Sequence, residues 1–411
     1  MARRAARQPG PAPRGHAPKS IPFVDVQHRI NGDAQAAAAE QSIEVLEQHL
    51  KLLAPEPQGS VQRILTSTPN RARTYGTNLP FHVACRYNRT MSRPQICIVT
   101  PALASANNGN WQTAKRWSQI LNVRFRVALV NQWQGEPADA LLALHARRSA
   151  DSIQRWASDK PGHPLAVVLT GTDLYRDIHV DRQAQRSLVL ADRLVVLHEG
   201  AVEDLPAQHR AKAVVCFQST TARRPLVKTA QHLRCVMVGH LREEKAPQTY
   251  FEAVRRLARR HDILLDHIGA ALDPALGDAA QALQRSCPQY RWLGALPHDT
   301  TRGRIQGAHI LVHTSGMEGG AHVVMEAIRS GTPVLATHIS GNVGMLGADY
   351  AGYVEPGDSE GLAALIERCR NNPAMLEGLN RQCVDRAPLF EPKREQAALL
   401  ALFEDMLAKH R

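Results

Sequence analysis

The sequence predicts an α/β protein made of two doubly wound Rossmann-like domains facing a central crevice. Three observations carry that expectation. From residue 95 onward, short apolar runs alternate with helical patterns. The alternation comes as two series of six strands, separated by a stretch of low regularity from Gln218 to Leu233. The second series holds a glycine loop framed by two glutamates, Glu318-Gly-Gly-Ala-His-Val-Val-Met-Glu326, with the strand 333–336 following at once. Alternation of this kind argues for parallel sheets covered by helices on both faces. In such domains ligands bind in the crevice outside the carboxyl ends of the strands.

The first series of strands is expected at 95–100, 125–130, 139–144, 165–170, 193–198 and 213–217. The second is expected at 234–238, 263–268, 290–293, 309–313, 333–336 and 351–354. Amphipathic patterns place helices between most of them, among others at 111–121, 182–190, 247–260, 275–285, 322–330 and 359–370. Four segments follow: an extension at 1–93, a first domain at 94–228, a second at 229–392, and a last helix near 393–409 that is expected to cross back to the first domain. Residues 1–20 are rich in Arg, Pro, Gly and Ala without an acid, a composition that could pass for an organellar transit peptide. One amphipathic helix is expected at 34–53 and the rest of the extension is expected to be disordered. Met91 opens a stretch that looks like an ordinary protein start, so translation from Met91 is a further expectation.

Composition narrows the function classes. The net charge of +12 is uneven: residues 1–93 carry 13 Lys/Arg against 6 Asp/Glu, and the remainder 37 against 32. A mildly basic body suits small anionic substrates. Few aromatics interleave with the basic residues, so nucleic acid is not an expected partner. No run of about 18 apolar residues suggests a membrane span. The seven cysteines are widely spaced, without a Cys-x-x-Cys. Cys97, Cys216 and Cys235 fall in apolar runs and read as buried reduced thiols, which points to a reducing, cytoplasmic setting. The five tryptophans read as packing residues.

The chemistry concentrates at strand ends. Gly319 and Gly320 let backbone N–H groups approach a diphosphate, while Glu318 and Glu326 can accept hydrogen bonds from sugar and ribose hydroxyls. A second motif, Val238-Gly-His-Leu-Arg-Glu-Glu-Lys-Ala-Pro247, ends a strand and starts a helix. Its Arg242 and Lys245 can neutralise charge growing on a departing diphosphate. No Asp-x-Asp occurs, so a metal-bridged diphosphate is not expected, and neither is a cofactor. In the first domain a glycine turn at Asn108-Gly109 leads into a helix. Two polar stretches, Leu144-His-Ala-Arg-Arg-Ser149 and Leu169-Thr-Gly-Thr-Asp-Leu-Tyr-Arg176, follow apolar strands. They place His145, Arg147, Arg148, Thr170, Thr172, Asp173 and Arg176 toward the crevice. Guanidinium groups there match a small phosphate-type anion. His145 reads either as an acid/base group or as a strand-end histidine bonded to backbone. Asp173 reads either as an acid/base group or as a turn residue. Asn342 begins either a closing loop or a simple Gly-Asn turn.

The two donor motifs together resemble the family 4 glycosyltransferases, which have the GT-B fold. That resemblance implies that Lys245 contacts the donor pyrophosphate, Glu318 the sugar and Glu326 the ribose, with Gly109, His240, Arg242, Gly319 and Gly320 completing the donor site. The family's arginine is replaced here by His240, and Arg242 stands two residues on. With Ser340-Gly-Asn-Val-Gly344 and Asp349-Tyr-Ala-Gly-Tyr353 added, residues 94–405 are similar to the selenosugar synthases of selenoneine biosynthesis. The resemblance implies transfer of a sugar from UDP-N-acetylglucosamine to selenophosphate without a metal. Arg147, Arg148, Thr170, Thr172 and Arg176 would bind the acceptor, and His145 and Asp173 would be catalytic. The alternatives are another small O- or S-acceptor, a UDP-sugar epimerase or hydrolase, and a binding protein without catalysis.

Overall fold

A computed structural model of the chain describes residues 93–101 and 109–410. The expectations for 1–92, including the helix at 34–53, the start at Met91 and the thiol of Cys85, lie outside the described residues, as does Asn108. The first sheet holds β1 (Gln95–Val99), β2 (Arg126–Val130), β3 (Ala140–Leu144), β4 (Leu165–Val168), β5 (Arg193–Val196) and β6 (Ala213–Val215), in the order β2-β1-β3-β4-β5-β6. The second holds β7 (Leu233–Val238), β8 (Ile263–Ile268), β9 (Tyr290–Trp292), β10 (Ile310–His313), β11 (Val334–Thr337) and β12 (Tyr353–Val354), in the order β12-β11-β10-β7-β8-β9. Neighbouring strands run parallel throughout. Strand order reverses between β1 and β3 and between β7 and β10, which places a switch point at the carboxyl edge of each sheet.

The central strands are buried on both faces, and their sequences are correspondingly continuous. All five residues of β3, Ala-Leu-Leu-Ala-Leu, are fully buried. Several strands stop earlier than their apolar runs. β4 ends at Val168 because the Thr170 N–H bonds to the Asp173 carboxylate instead of to a neighbouring strand. β6 ends at Val215, just before Cys216. The helix expected to reach residue 260 stops at Arg256, where Leu257 leaves helical geometry and a tighter turn follows.

Helices start where local chemistry satisfies their first N–H groups. Asp273 accepts from Ala275 and Leu276, Asp181 from Ala184, Asp358 from Gly361 and Asn372 from Met375. Pro247, Pro274, Pro373 and Pro392 occupy first helical positions. Among the described residues, the helices not named from periodicity include Ala150–Asp159, His298–Gly307, Ser340–Leu346 and Pro373–Arg386. His298–Gly307 is polar almost throughout and Ser340–Leu346 holds two glycines, so neither shows an apolar stripe. Ser340–Leu346 corrects the expectation of a loop or turn at Asn342. Asn342 is fully buried in this helix, and its amide donates to the Thr337 carbonyl and hydroxyl.

The last helix, Pro392–Ala408, lays Leu399, Leu402, Phe403 and Met406 against Ile96, Ile98, Trp117 and Phe125 beside the first sheet. Its Glu395 is 1% exposed. That carboxylate accepts from Arg116 Nε at 3.0 Å, Trp117 Nε1 at 2.6 Å, and the Ser219 N–H and hydroxyl at 3.1 and 2.5 Å. One carboxylate thus ties the last helix, the first helix (Gly109–Leu121) and the segment after β6. Cys97, Cys216, Cys235, Cys287, Cys369 and Cys383 are buried and unbridged. Burial and the nearby Glu136 carboxylate push the Cys97 thiol up to about 12, away from reactivity. Trp117, Trp133 and Trp156 are core residues. No helix among the described residues is long and apolar enough to cross a membrane.

Candidate functional site

The carboxyl ends of β7 and β10 build one wall of the crevice. After β7, the turn Glu243–Lys245 ends on Ala246, a non-glycine residue in the left-handed region (φ 43°), which aims the chain into the helix at Pro247. The turn is pinned to the β10 end: Gly316 N–H donates to the Glu244 carbonyl and the Thr314 hydroxyl to the Lys245 carbonyl. The Lys245 stem lies across Gly239, and its ammonium forms an ion pair with Glu318 Oε1. His313 Nε2 stands 3.5 Å from the same oxygen. Burial alone would raise the Glu318 carboxyl, but Lys245 and His313 outweigh it and hold the group well below the usual carboxylate range. His240 is half-buried, and its Nδ1 accepts from the Ala270 N–H, which leaves Nε2–H as a donor. Burial, then Arg242 and Lys245, lower its pKa. Arg242 Nε is buried with no hydrogen-bond partner.

Glu326 lies one turn along the helix His322–Ile328 and is 4% exposed. Its Oε1 accepts from His298 Nε2 at 2.7 Å and stands 3.9 Å from Arg302 Nε. Arg302 is spent on the segment after β6, donating to the Thr221 hydroxyl and carbonyl.

The other wall is the end of β3, β4 and β5. Asp173 is fully buried. Its Oδ1 accepts from the Thr170 N–H and hydroxyl at 2.8 Å, and its Oδ2 from the Ala146 N–H at 2.9 Å. It cross-links two strand ends, so the geometry is that of a positioning group and not of an open acid or base. His145 is 1% exposed, in the left-handed region (φ 73°). Its Nδ1 accepts from the Arg148 N–H, and its Nε2–H faces the Thr172 hydroxyl at 3.1 Å. Burial lowers its pKa against the opposing pull of Asp173. Of the two readings left open for each residue, the geometry matches the backbone-bonded histidine and the turn carboxylate. Arg147 is half exposed and pairs with Asp181 at 3.0 Å. Arg148 is exposed. Arg176 pairs with Asp177 at 3.0 Å, and the Glu244 and Glu243 carboxylates across the crevice add to the upward shift of its pKa.

The two walls touch. A Cβ on Gly319 would collide with the Thr170 carbonyl of the opposite wall, and within the β7–β10 wall one on Gly341 would collide with the Glu318 carbonyl. Glycine is required here for close backbone approach. Gly344 packs on the imidazole of His198, which is fully buried and lowered to about 4 by desolvation. The Ser340 hydroxyl donates to Asp204 across the crevice at 2.5 Å, and Tyr175 meets His198 Nε2 at 2.9 Å. His322, at the helix start, faces the Thr113 hydroxyl at 3.3 Å, which also donates to the carbonyl of Gly109. Gly109 itself opens the first helix and is exposed.

Sequence reasoning missed His298, Arg302, His313, His322, Tyr175 and His198. His322 and Tyr175 lay inside motifs already singled out, and His313 ends a strand. Nothing local marked His298 or Arg302, because their helix was not legible. Among the described residues no group of three or more His, Cys, Asp or Glu is arranged to hold a metal.

Comparison with known proteins bears on the wall built by the β7 and β10 ends. Residues 218–388 match the family of glycosyl transferases group 1. Sucrose-phosphate synthase from Thermosynechococcus elongatus superposes with a TM-score of 0.63 at 15% identity, over 77% of this chain and 100% of that one. HepE from Anabaena, in complex with UDP-glucose, gives 0.58 at 14% identity, over 77% and 100%. A variant of S. aureus TarM, in complex with Fondaparinux, α-GlcNAc-glycerol and UDP, gives 0.52 at 12% identity. The chain spans 65% of itself and only about half, 55%, of TarM in that match. The two parallel six-stranded sheets with interleaved helices are the GT-B fold.

Proposed function

We propose that the chain is a metal-independent glycosyltransferase that moves a sugar, N-acetylglucosamine, from its UDP donor to selenophosphate. The selenium of selenophosphate attacks C1 while the C1–O bond to the diphosphate breaks, releasing UDP. Water then cleaves the Se–P bond, giving the 1-selenosugar and phosphate. The observation that carries the donor half is the Lys245–Glu318 pair at the meeting point of the β7 and β10 ends, inside the segment that matches the family model. A cation and a hydroxyl acceptor held side by side suit the junction between a diphosphate and its sugar. The complexes of HepE with UDP-glucose and of TarM with UDP support a uridine nucleotide donor on this scaffold.

Selenophosphate is already an anion with a soft nucleophilic atom, so its activation asks little of a general base. That agrees with a buried, backbone-bonded His145 and Asp173, which act in this reading by positioning the Thr170–Thr172 loop. The chain's task is charge handling: Lys245, Arg242 and the His240 Nε2–H serve the donor and its leaving diphosphate, while Arg148, Arg147 and Arg176 serve the acceptor. The deciding experiment is mass spectrometry after incubation with UDP-N-acetylglucosamine and selenophosphate. A selenium-containing hexosamine with stoichiometric UDP is expected. UDP-sugar consumed without acceptor identifies an epimerase or hydrolase, and product formed only with an alcohol or thiol identifies another acceptor. Arg148→Ala and Arg147→Ala are expected to raise KM for selenophosphate with little effect on KM for the donor; unchanged KM for selenophosphate rejects the acceptor assignment.

A further inference from the structure

Glu326 has a neighbour that gives it a defined direction. His298 Nε2 donates to Oε1 at 2.7 Å, while no hydrogen bond from within the described chain occupies Oε2. Arg302 Nε, 3.9 Å from Oε1, is buried and has no hydrogen-bond partner. The two remaining Arg302 nitrogens are committed to Thr221, so the guanidinium cannot move away. Glu326 Oε1 therefore has two donors near it, one that holds it and one that is unsatisfied. An unsatisfied buried N–H is costly, so without His298 the carboxylate swings toward Arg302 Nε to pair with it. That rotation withdraws Oε2 from its present direction.

We infer that His298 is a positioning residue that holds Glu326 for a ribose diol and so sets the preference for ribo- over deoxyribonucleotide donors. The inference rests on the proposed donor reading, in which Glu326 meets the ribose. A carboxylate oxygen already held in one direction accepts from a hydroxyl without a further cost of ordering, and the Nε2–H of His298 holds it there. The imidazole is 54% exposed, so removing it leaves the core untouched.

The test is the ratio of dissociation constants for 2′-deoxy-UDP and UDP, and likewise for 3′-deoxy-UDP and UDP, measured by titration calorimetry on the full chain. A hydroxyl-to-carboxylate hydrogen bond gives an expected ratio of about tenfold or more in the unaltered protein. His298→Ala is expected to bring the ratio close to one. His298→Gln, whose amide can donate from nearly the place of Nε2, is expected to restore most of it. Glu326→Gln defines the ratio without the carboxylate. If His298→Ala keeps the full ratio while Glu326→Gln loses it, the inference is overturned and the donor reading stands. If Glu326→Gln also keeps the ratio, the ribose assignment fails and the inference fails with it.

Discussion

Replacing Lys245 with methionine isolates the charge at the centre of the wall built by the β7 and β10 ends. The methionine side chain can follow the same path across Gly239, where the lysine Cγ and Cδ lie 3.4 Å from a Cβ position, so packing survives. Glu318, with its side chain 14% exposed, then loses its lysine partner, while the His313 ring stays at 3.5 Å. Breaking a buried pair costs about 3–5 kcal/mol. The remaining histidine and the partial exposure of both partners put the expected cost at the lower end, about 3 kcal/mol at pH 7. The sign of the pH dependence follows from the depressed Glu318 carboxyl. Its stabilisation is complete above the unfolded value of about 4.3 and drains away as pH falls below it. In the variant, burial raises the same carboxyl, so the folded variant takes up a proton earlier. The gap between the two proteins therefore narrows from pH 7 to pH 4, as read by urea unfolding across that range. In the same preparation UDP binding should weaken by about 10- to 150-fold, the loss of one charge-assisted hydrogen bond of about 1.5–3 kcal/mol. A pH-independent gap would refute the pairing, and unchanged UDP affinity would refute the assignment of Lys245 to the diphosphate.

Further outcomes follow from the same contacts. Glu395→Gln puts an amide NH₂ against a cluster of donors and is expected to cost about 3–5 kcal/mol in urea unfolding; a loss below about 1 kcal/mol would contradict the clamp. Gly344→Ala drives a methyl into the buried His198 ring and should cost about 1–3 kcal/mol in thermal melting, with weaker UDP binding as the walls separate. His198 is lowered to about 4, so its contribution is complete above the unfolded value of about 6.5 and is lost as pH falls from there toward 4. His198→Gln should flatten that part of the stability profile. Exhaustive treatment with a chelator should leave transfer unchanged, and restoration of activity by added Mg²⁺ or Mn²⁺ would overturn the metal-independent reading.

Alternation of apolar runs is a local signal, and it placed the twelve strands of the described residues, most clearly the central ones, because a parallel strand buried on both faces must be apolar along its whole length. Glycines at strand ends were equally legible, since close backbone approach excludes other residues, as Gly319 against Thr170 and Gly341 against Glu318 demonstrate. Helices were legible only where one face is apolar. His298–Gly307 has no such face, and with it His298 and Arg302 escaped notice. Only the tertiary structure decided what each charged residue does, because a charge in sequence reads as solvated until its distant partner is known. Lys245 and Glu318 stand 73 residues apart, and Arg116 and Glu395 279 apart. Asp173 belongs to a motif with every mark of chemistry, yet its carboxylate is consumed by the Thr170 N–H of its own loop and by the Ala146 N–H that the end of β3 delivers. The sequence thus determined the scaffold and the loops that face the crevice, while the packing of remote segments determined which carboxylates hold the chain and which are open to a ligand.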